Sequence, residues 1–157
     1  MMKDSYQTLL NYSFRLLGRK AYTESEIERR LTRRGLKVKL AALHSAVIKV
    51  IARLKELKYL DDDKILENYF EYKLPAKPQG QFAFLHEMRR RGISIDVAKE
   101  AWSKRNIDED ELAQVLVNSR KTKFAGLSSL LRKKKIAGLL ASRGFSPNTV
   151  WRLLDRQ

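Results

Sequence analysis

The chain has 157 residues, with 33 Lys and Arg against 18 Asp and Glu, giving a formal net charge of +15 and a pI near 10.2. Such a chain seeks polyanions, and its 43% hydrophobic residues supply a packed interior, which excludes a disordered basic tail. The absence of cysteine excludes disulfide and thiolate-metal chemistry, and no stretch reaches the roughly 20 apolar residues of a membrane span, so a cytoplasmic protein is expected.

The start, Met1-Met2-Lys3-Asp4, lacks the apolar core of a signal peptide and runs into a helical stripe of Tyr6, Leu9, Leu10, Phe14 and Leu17. In Tyr22-Thr23-Glu24-Ser25-Glu26-Ile27, Thr23 is an N-cap, Glu26 completes a capping box, and Tyr22 can staple onto Ile27. Val47, Val50, Ile51 and Leu54 form the next buried stripe. Leu60-Asp61 before Ile65 repeats the apolar–cap–apolar arrangement, and Pro75-Ala76-Lys77-Pro78-Gln79-Gly80 reads as a linker between helices. Val97, Ala101 and Trp102 mark another stripe. Asp108 opens a further helix ahead of Leu112. Ser146-Pro147 opens the last, with Val150, Leu153 and Leu154 inward. About nine short helices result, and period-two strand patterns are missing.

Three segments share a template: Ile27 to Leu36, Phe84 to Ile93 and Ile136 to Phe145. In each, apolar residues stand eight and four before a glycine (Gly35, Gly92, Gly144), arginine stands one before it, and an apolar residue follows. The template predicts an amphipathic helix with cations at its negative end, closed by a glycine of positive φ. The expected fold is therefore all-α. It comprises three tandem three-helix repeats, helix-turn-helix-like in their last two helices, over 1–60, 61–107 and 108–157, arranged as an elongated curved array.

The outer repeats carry the charge: 14 basic and 5 acidic residues in the first, 9 and 8 in the second, 10 and 5 in the third. Helix C-terminal turns favour cations by themselves, so each dense run also has a purely local explanation, whereas the overall surplus does not. The basic clusters put forward as the interaction set are Arg30, Arg33 and Arg34, then Arg90 and Arg91, then Arg132, Lys133, Lys134 and Arg143.

Catalysis finds little support in the sequence. His44 and His86 stand in no spacing with a nucleophile or second ligand, and Asp61-Asp62-Asp63 fits an N-cap with an acidic first turn better than a metal site. No glycine loop cradles a phosphate, so no catalytic residue, cofactor or metal is expected. The aromatics Tyr69, Phe70, Phe82, Phe84 and Trp102 are expected in the core, with Trp151 near the end less constrained.

Four stretches in order resemble the RecX family: Leu16-Leu17-Gly18-Arg19-Lys20-Ala21-Tyr22-Thr23-Glu24-Ser25-Glu26-Ile27, Tyr59-Leu60-Asp61-Asp62, Lys77-Pro78-Gln79-Gly80 leading to Arg91-Gly92-Ile93, and Arg143-Gly144-Phe145-Ser146. Two features depart from the family pattern. Lys58 stands where the family usually has glycine, and the stretch from Gly35 to Tyr59 is longer by about half a dozen residues around Lys37 to Leu43, which lengthen a helix or add a turn. The resemblance implies a regulator that binds the RecA filament on single-stranded DNA and limits its ATPase and strand-exchange activities, in DNA repair and the SOS response. A monomer suffices for an extended array. The alternative is a free-standing helix-turn-helix protein reading DNA through Ser94 to Arg105 or Ser146 to Arg156, although neither segment carries a file of base-reading side chains.

Overall fold

The computed structural model describes residues 4–157; Met1-Met2-Lys3, read above for the absence of a signal core, lies outside the described residues. Nine segments of seven residues or more are α-helical among them: α1 (Ser5–Leu17), α2 (Glu24–Lys37), α3 (Leu43–Glu56), α4 (Asp62–Asn68), α5 (Gln81–Arg90), α6 (Ile95–Lys104), α7 (Glu109–Asn118), α8 (Ser129–Ser142) and α9 (Pro147–Asp155). After α4 the chain continues as a π-helical turn, Tyr69–Lys73, and a short turn, Leu74–Ala76. Another short turn, Lys121–Phe124, separates α7 from α8.

The residues pack as two compact units, one running through Glu67 and taking in Arg91–Ile93, the other comprising Asn68–Arg90 and Ser94–Gln157. In the first, α1, α2 and α3 pack against one another. Their core is Leu9, Leu16, Tyr22, Ile27, Leu31, Val47, Val50, Ile51 and Leu54. In the second, α9 lies on both α7 and α8 over Ala113, Leu116, Val117, Ile136, Leu140, Phe145 and Leu153. A separate aromatic cluster in that unit joins Tyr69, Phe70, Phe84 and Trp102, with ring centroids 4.8–6.0 Å apart.

The local start signals act as read. Thr23 accepts the Glu26 amide while Glu26 accepts the Thr23 amide, closing the capping box at the head of α2. Asp61 accepts the Lys64 amide at 3.1 Å, Asp108 the Glu111 amide at 3.1 Å, and Ser146 the Thr149 amide at 3.2 Å with Pro147 in the first turn.

Four expectations are corrected. Gly35 does not close α2: it is buried inside the helix, where a Cβ would meet the tip of the Leu43 side chain, so the glycine makes room for that side chain. The helix instead runs on to Lys37, with positive φ at Lys39 (52°) and Ala42 (47°), and the additional residues form the irregular Val38–Ala42 connection. On α6 the inward residues are Ala98 and Trp102 while Val97 is exposed, because the helix turns its face by one position from the stripe. The linker before α5 is tied down: the Gln79 side chain donates to the Tyr69 hydroxyl at 2.6 Å, and the Gly80 amide to the Arg143 carbonyl at 2.8 Å. Phe82 is not a core residue; it and Trp151 are largely exposed.

Candidate functional site

The cationic surface begins on α2, where residues three and four apart share one face. Arg29, Arg30 and Arg33 project from that face and, with Lys20 from the preceding loop, border a notch of about 200 Å³. The buried Tyr22 ring organises it: the Lys20 ammonium sits 4.7 Å and the Arg30 guanidinium 5.0 Å from the ring centroid. A ring face holds a cation in place without neutralising it. No carboxylate pairs with Lys20, Arg29, Arg30 or Arg33 among the described residues.

Arg34 points elsewhere. Half-buried, it lies 5.5 Å from the Tyr12 ring with its Nε enclosed and without a hydrogen-bond partner, beside a cavity of about 650 Å³ that Lys39 and Lys49 also line.

The Arg89-Arg90-Arg91 run divides by direction. Arg90 is exposed in the last turn of α5. Arg91 is turned inward: its Nε and Nη2 donate to the two Glu26 carboxylate oxygens at 3.1 and 3.2 Å, and Nη2 reaches the Ala21 carbonyl at 3.3 Å. Its own carbonyl accepts from the buried Thr23 hydroxyl at 2.6 Å. Arg91 therefore latches the Arg91–Ile93 segment onto the start of α2 and is the one member of the set whose guanidinium is fully engaged by a carboxylate. Asp62 adds to the same node by accepting the Glu24 amide at 3.0 Å. Burial raises its carboxyl above the ordinary value.

For Glu26, burial pushes the carboxyl up, but the Arg91 hydrogen bonds, the Thr23 amide and the charges of Arg91 and Lys20 outweigh it, leaving the group below its ordinary 4.5. A depressed folded-state pKa contributes stability that is full above the unfolded value and is lost as pH falls through the folded one. Arg91→Ala is expected to destabilise the first unit by about 2–3 kcal/mol at neutral pH, since it strands a mostly buried carboxylate. It should also flatten the acid limb of stability against pH. Urea midpoints at several pH values check both; an unchanged midpoint at neutral pH refutes the latch.

The run from Arg132 to Lys135 is placed differently from the others. It occupies the first half of α8, where the helix buries only Ile136 and Leu140, and its residues are exposed except the half-buried Lys133. The favourable dipole that explains cations at a helix C-terminus is absent there, so the local explanation fails for this cluster. None of the four has a carboxylate partner among the described residues, and the neighbouring Leu130 is 81% exposed. Arg143, by contrast, is a half-buried C-cap residue whose backbone does the structural work at the end of α8.

The two segments that could read a DNA groove differ in how their cations are used. On α9, Arg152 makes a bidentate pair with Asp110 at 2.9 Å and Arg156 approaches the same carboxylate at 3.6 Å. That Arg152 pairing holds Asp110 below its ordinary value. Beyond α6, the Arg105 guanidinium lies 5.1 Å from the Phe70 ring centroid, and Lys104 pairs with Glu100 at 3.0 Å. His44 and His86 are exposed, and no group of three potential metal ligands occurs among the described residues. No helix of the described residues is long and apolar enough to cross a membrane.

Fold and surface together define an all-helical, strongly basic protein whose distinctive chemistry is unpaired cations held on helix faces. Residues 108–154 match the family model described as RecX, third three-helix domain. Over 156 residues the chain is 30% identical to the regulatory protein RecX of Prosthecochloris aestuarii, covering 98% of this chain and 97% of that protein. The chain belongs to the RecX family, a family of regulatory proteins. It is also 29% identical over 152 residues to the regulatory protein RecX of Deinococcus radiodurans, covering 95% of this chain and 68% of that one. The crystal structure of RecX from Lactobacillus salivarius has the same fold, with a TM-score of 0.78 at 19% identity over 98% of this chain and 99% of that chain.

Proposed function

We propose that this protein is a cytoplasmic, non-catalytic regulator that binds the RecA filament on single-stranded DNA as a monomer and restrains its ATPase and recombinase activities in DNA repair and the SOS response. The observation that carries this reading is the Arg132 to Lys135 run, unpaired on the half of α8 where a helix gives cations no support. Arg30 and Arg33 in the first unit and Arg90 in the second extend the cationic set, while Arg34, Arg91 and Arg143 act within the fold. We read the chain as three successive repeats, 1–60, 61–107 and 108–157, so that several modest contacts along a polymer combine through effective concentration.

The test compares binding to a RecA filament with binding to the same bare single strand across a salt series, with RecA ATPase followed in parallel. The filament should retain the protein at salt concentrations that release it from bare DNA, and ATPase should fall as it binds. Equal binding with and without RecA, or an unaffected ATPase, overturns the reading. The helix-turn-helix alternative has less support on α9, where Arg152 and Arg156 are both turned to Asp110 within the second unit.

A further inference from the structure

The second unit holds a groove of about 490 Å³ between the start of α5 and the end of α8, to which the basic clusters contribute only Arg90. One wall is the Phe82 ring, 59% exposed although the neighbouring Phe84 is completely buried. Ala83, Ala141, Ser142 and Gly144 give it a floor of small residues, with Gln79 and His86 also lining it. The two backbones are pinned together there: the Gly80 amide donates to the Arg143 carbonyl at 2.8 Å and the Phe82 amide to the Gly144 carbonyl at 3.1 Å. The aromatic wall is thus fixed to a flat floor and does not depend on a loop to position it.

The rim is cationic. Lys73 is paired with Glu87, while Lys77 and Arg90 have no carboxylate partner among the described residues. Volume, the Phe82 ring face, a small-residue floor and two free cations at the edge match a flat aromatic group carrying an anion. An apolar peptide side chain would use the ring but would bury Lys77 and Arg90 uncompensated. An acidic peptide would satisfy the cations and leave the ring in water. A duplex keeps its bases stacked and beyond reach of the ring.

We propose that this groove is a nucleobase site for single-stranded nucleic acid, with an unpaired base stacked on Phe82 and the adjoining phosphates held by Lys77 and Arg90. The site goes beyond filament binding and operates on bare strands. It favours single strands over duplex with little sequence preference, because every base offers a π-face and, of the polar groups lining the groove, the Gln79 amide and the Ser142 hydroxyl already donate to Tyr69 and the Leu139 carbonyl.

The experiment uses the full chain and two labelled oligomers of equal length, oligothymidylate and its abasic counterpart, with binding followed by anisotropy. Phe82→Ala should weaken oligothymidylate binding about 5- to 160-fold, the range for losing one stacked base, and leave abasic binding unchanged. Phe82→Trp should retain the native affinity, and Phe82→Leu, apolar but without a ring, should lose it as Phe82→Ala does. Lys77→Glu with Arg90→Glu should weaken both oligomers. Oligothymidylate binding that survives Phe82→Ala, or that is kept in full by Phe82→Leu, overturns the proposal, as does an equal loss on the abasic strand. Because Phe82 is exposed, circular dichroism should stay helical in every variant. RecA is absent from the assay, so filament inhibition measured separately on Phe82→Ala distinguishes failure of the base site from failure of the regulatory reading.

Discussion

Replacing Gly144 with alanine is expected to destabilise the second unit by about 3 kcal/mol or more, whereas the same replacement at Gly138, inside α8, should stabilise it by about 0.5–1 kcal/mol. Gly144 has φ of +77°, a conformation costing an L side chain of the order of 1 kcal/mol by itself. A Cβ there would also lie 2.8 Å from the Ala83 Cα and closer still to the Ala83 nitrogen. Backbone cannot give way as a side-chain tip can. Movement would break the Gly80–Arg143 and Phe82–Gly144 hydrogen bonds that hold α5 to the end of α8. Gly138 is exposed within α8 with open space around the missing Cβ, so alanine there only removes unfolded-state freedom and improves helix propensity. Thermal unfolding separates the two outcomes, with the Gly144→Ala midpoint falling by roughly 10 °C or more. A midpoint shift of similar sign and size for both variants refutes the backbone contact.

What the sequence discloses is what is settled within one helical turn. Thr23 with Glu26, Asp108, and Ser146 with Pro147 announce helix starts because a cap and its amide are three residues apart. The glycine template succeeds for Gly92 and Gly144, with φ of +82° and +77°, and fails for Gly35, which lies within α2 and makes room for the Leu43 side chain of another helix. Pattern alone cannot separate a glycine that ends a helix from one that lets a neighbour approach. The same limit governs the cations. Arg89, Arg90 and Arg91 look alike in sequence, and only the turn at Gly92 brings Arg91 back to a glutamate 65 residues earlier. Asp61 and Asp62 differ in the same way, one capping its own helix and the other reaching across to the Glu24 amide.

Phe82 is hidden for a related reason. It stands beside Phe84 in an apolar run, and periodicity assigns both to the core until the Gly80 and Gly144 backbones fix which side of α5 faces α8. The Arg132 to Lys135 cluster is visible in the sequence, but its meaning is not. As part of a generic basic helix end it is ordinary; as the first half of a helix that begins at Ser129 it has no dipole to explain it.

Those unpaired cations give the second large effect. Reversing Arg30, Arg33, Lys133 and Lys134 together to glutamate should weaken binding to a RecA filament several-hundredfold near 0.1 M salt. Each cation that neutralises a phosphate on a single strand contributes about 0.7 to the slope of log affinity against log salt, so losing four removes about 2.8 decades between 1 M and 0.1 M. The pairs Arg30/Arg33 and Lys133/Lys134 lie on different helices and share no partner, so their losses should add in log affinity. A matched variant reversing Arg53, Lys55, Lys64 and Lys104 changes net charge equally but removes cations already paired with Glu56, Glu24, Glu67 and Glu100. It should bind within severalfold of the native chain, with a salt slope nearly unchanged. If both quadruple variants lose binding alike, overall charge and not the α2 and α8 faces drives association. If neither does, the filament is held by groups other than these cations, and the exposed Leu130 beside the α8 run becomes the first residue to truncate.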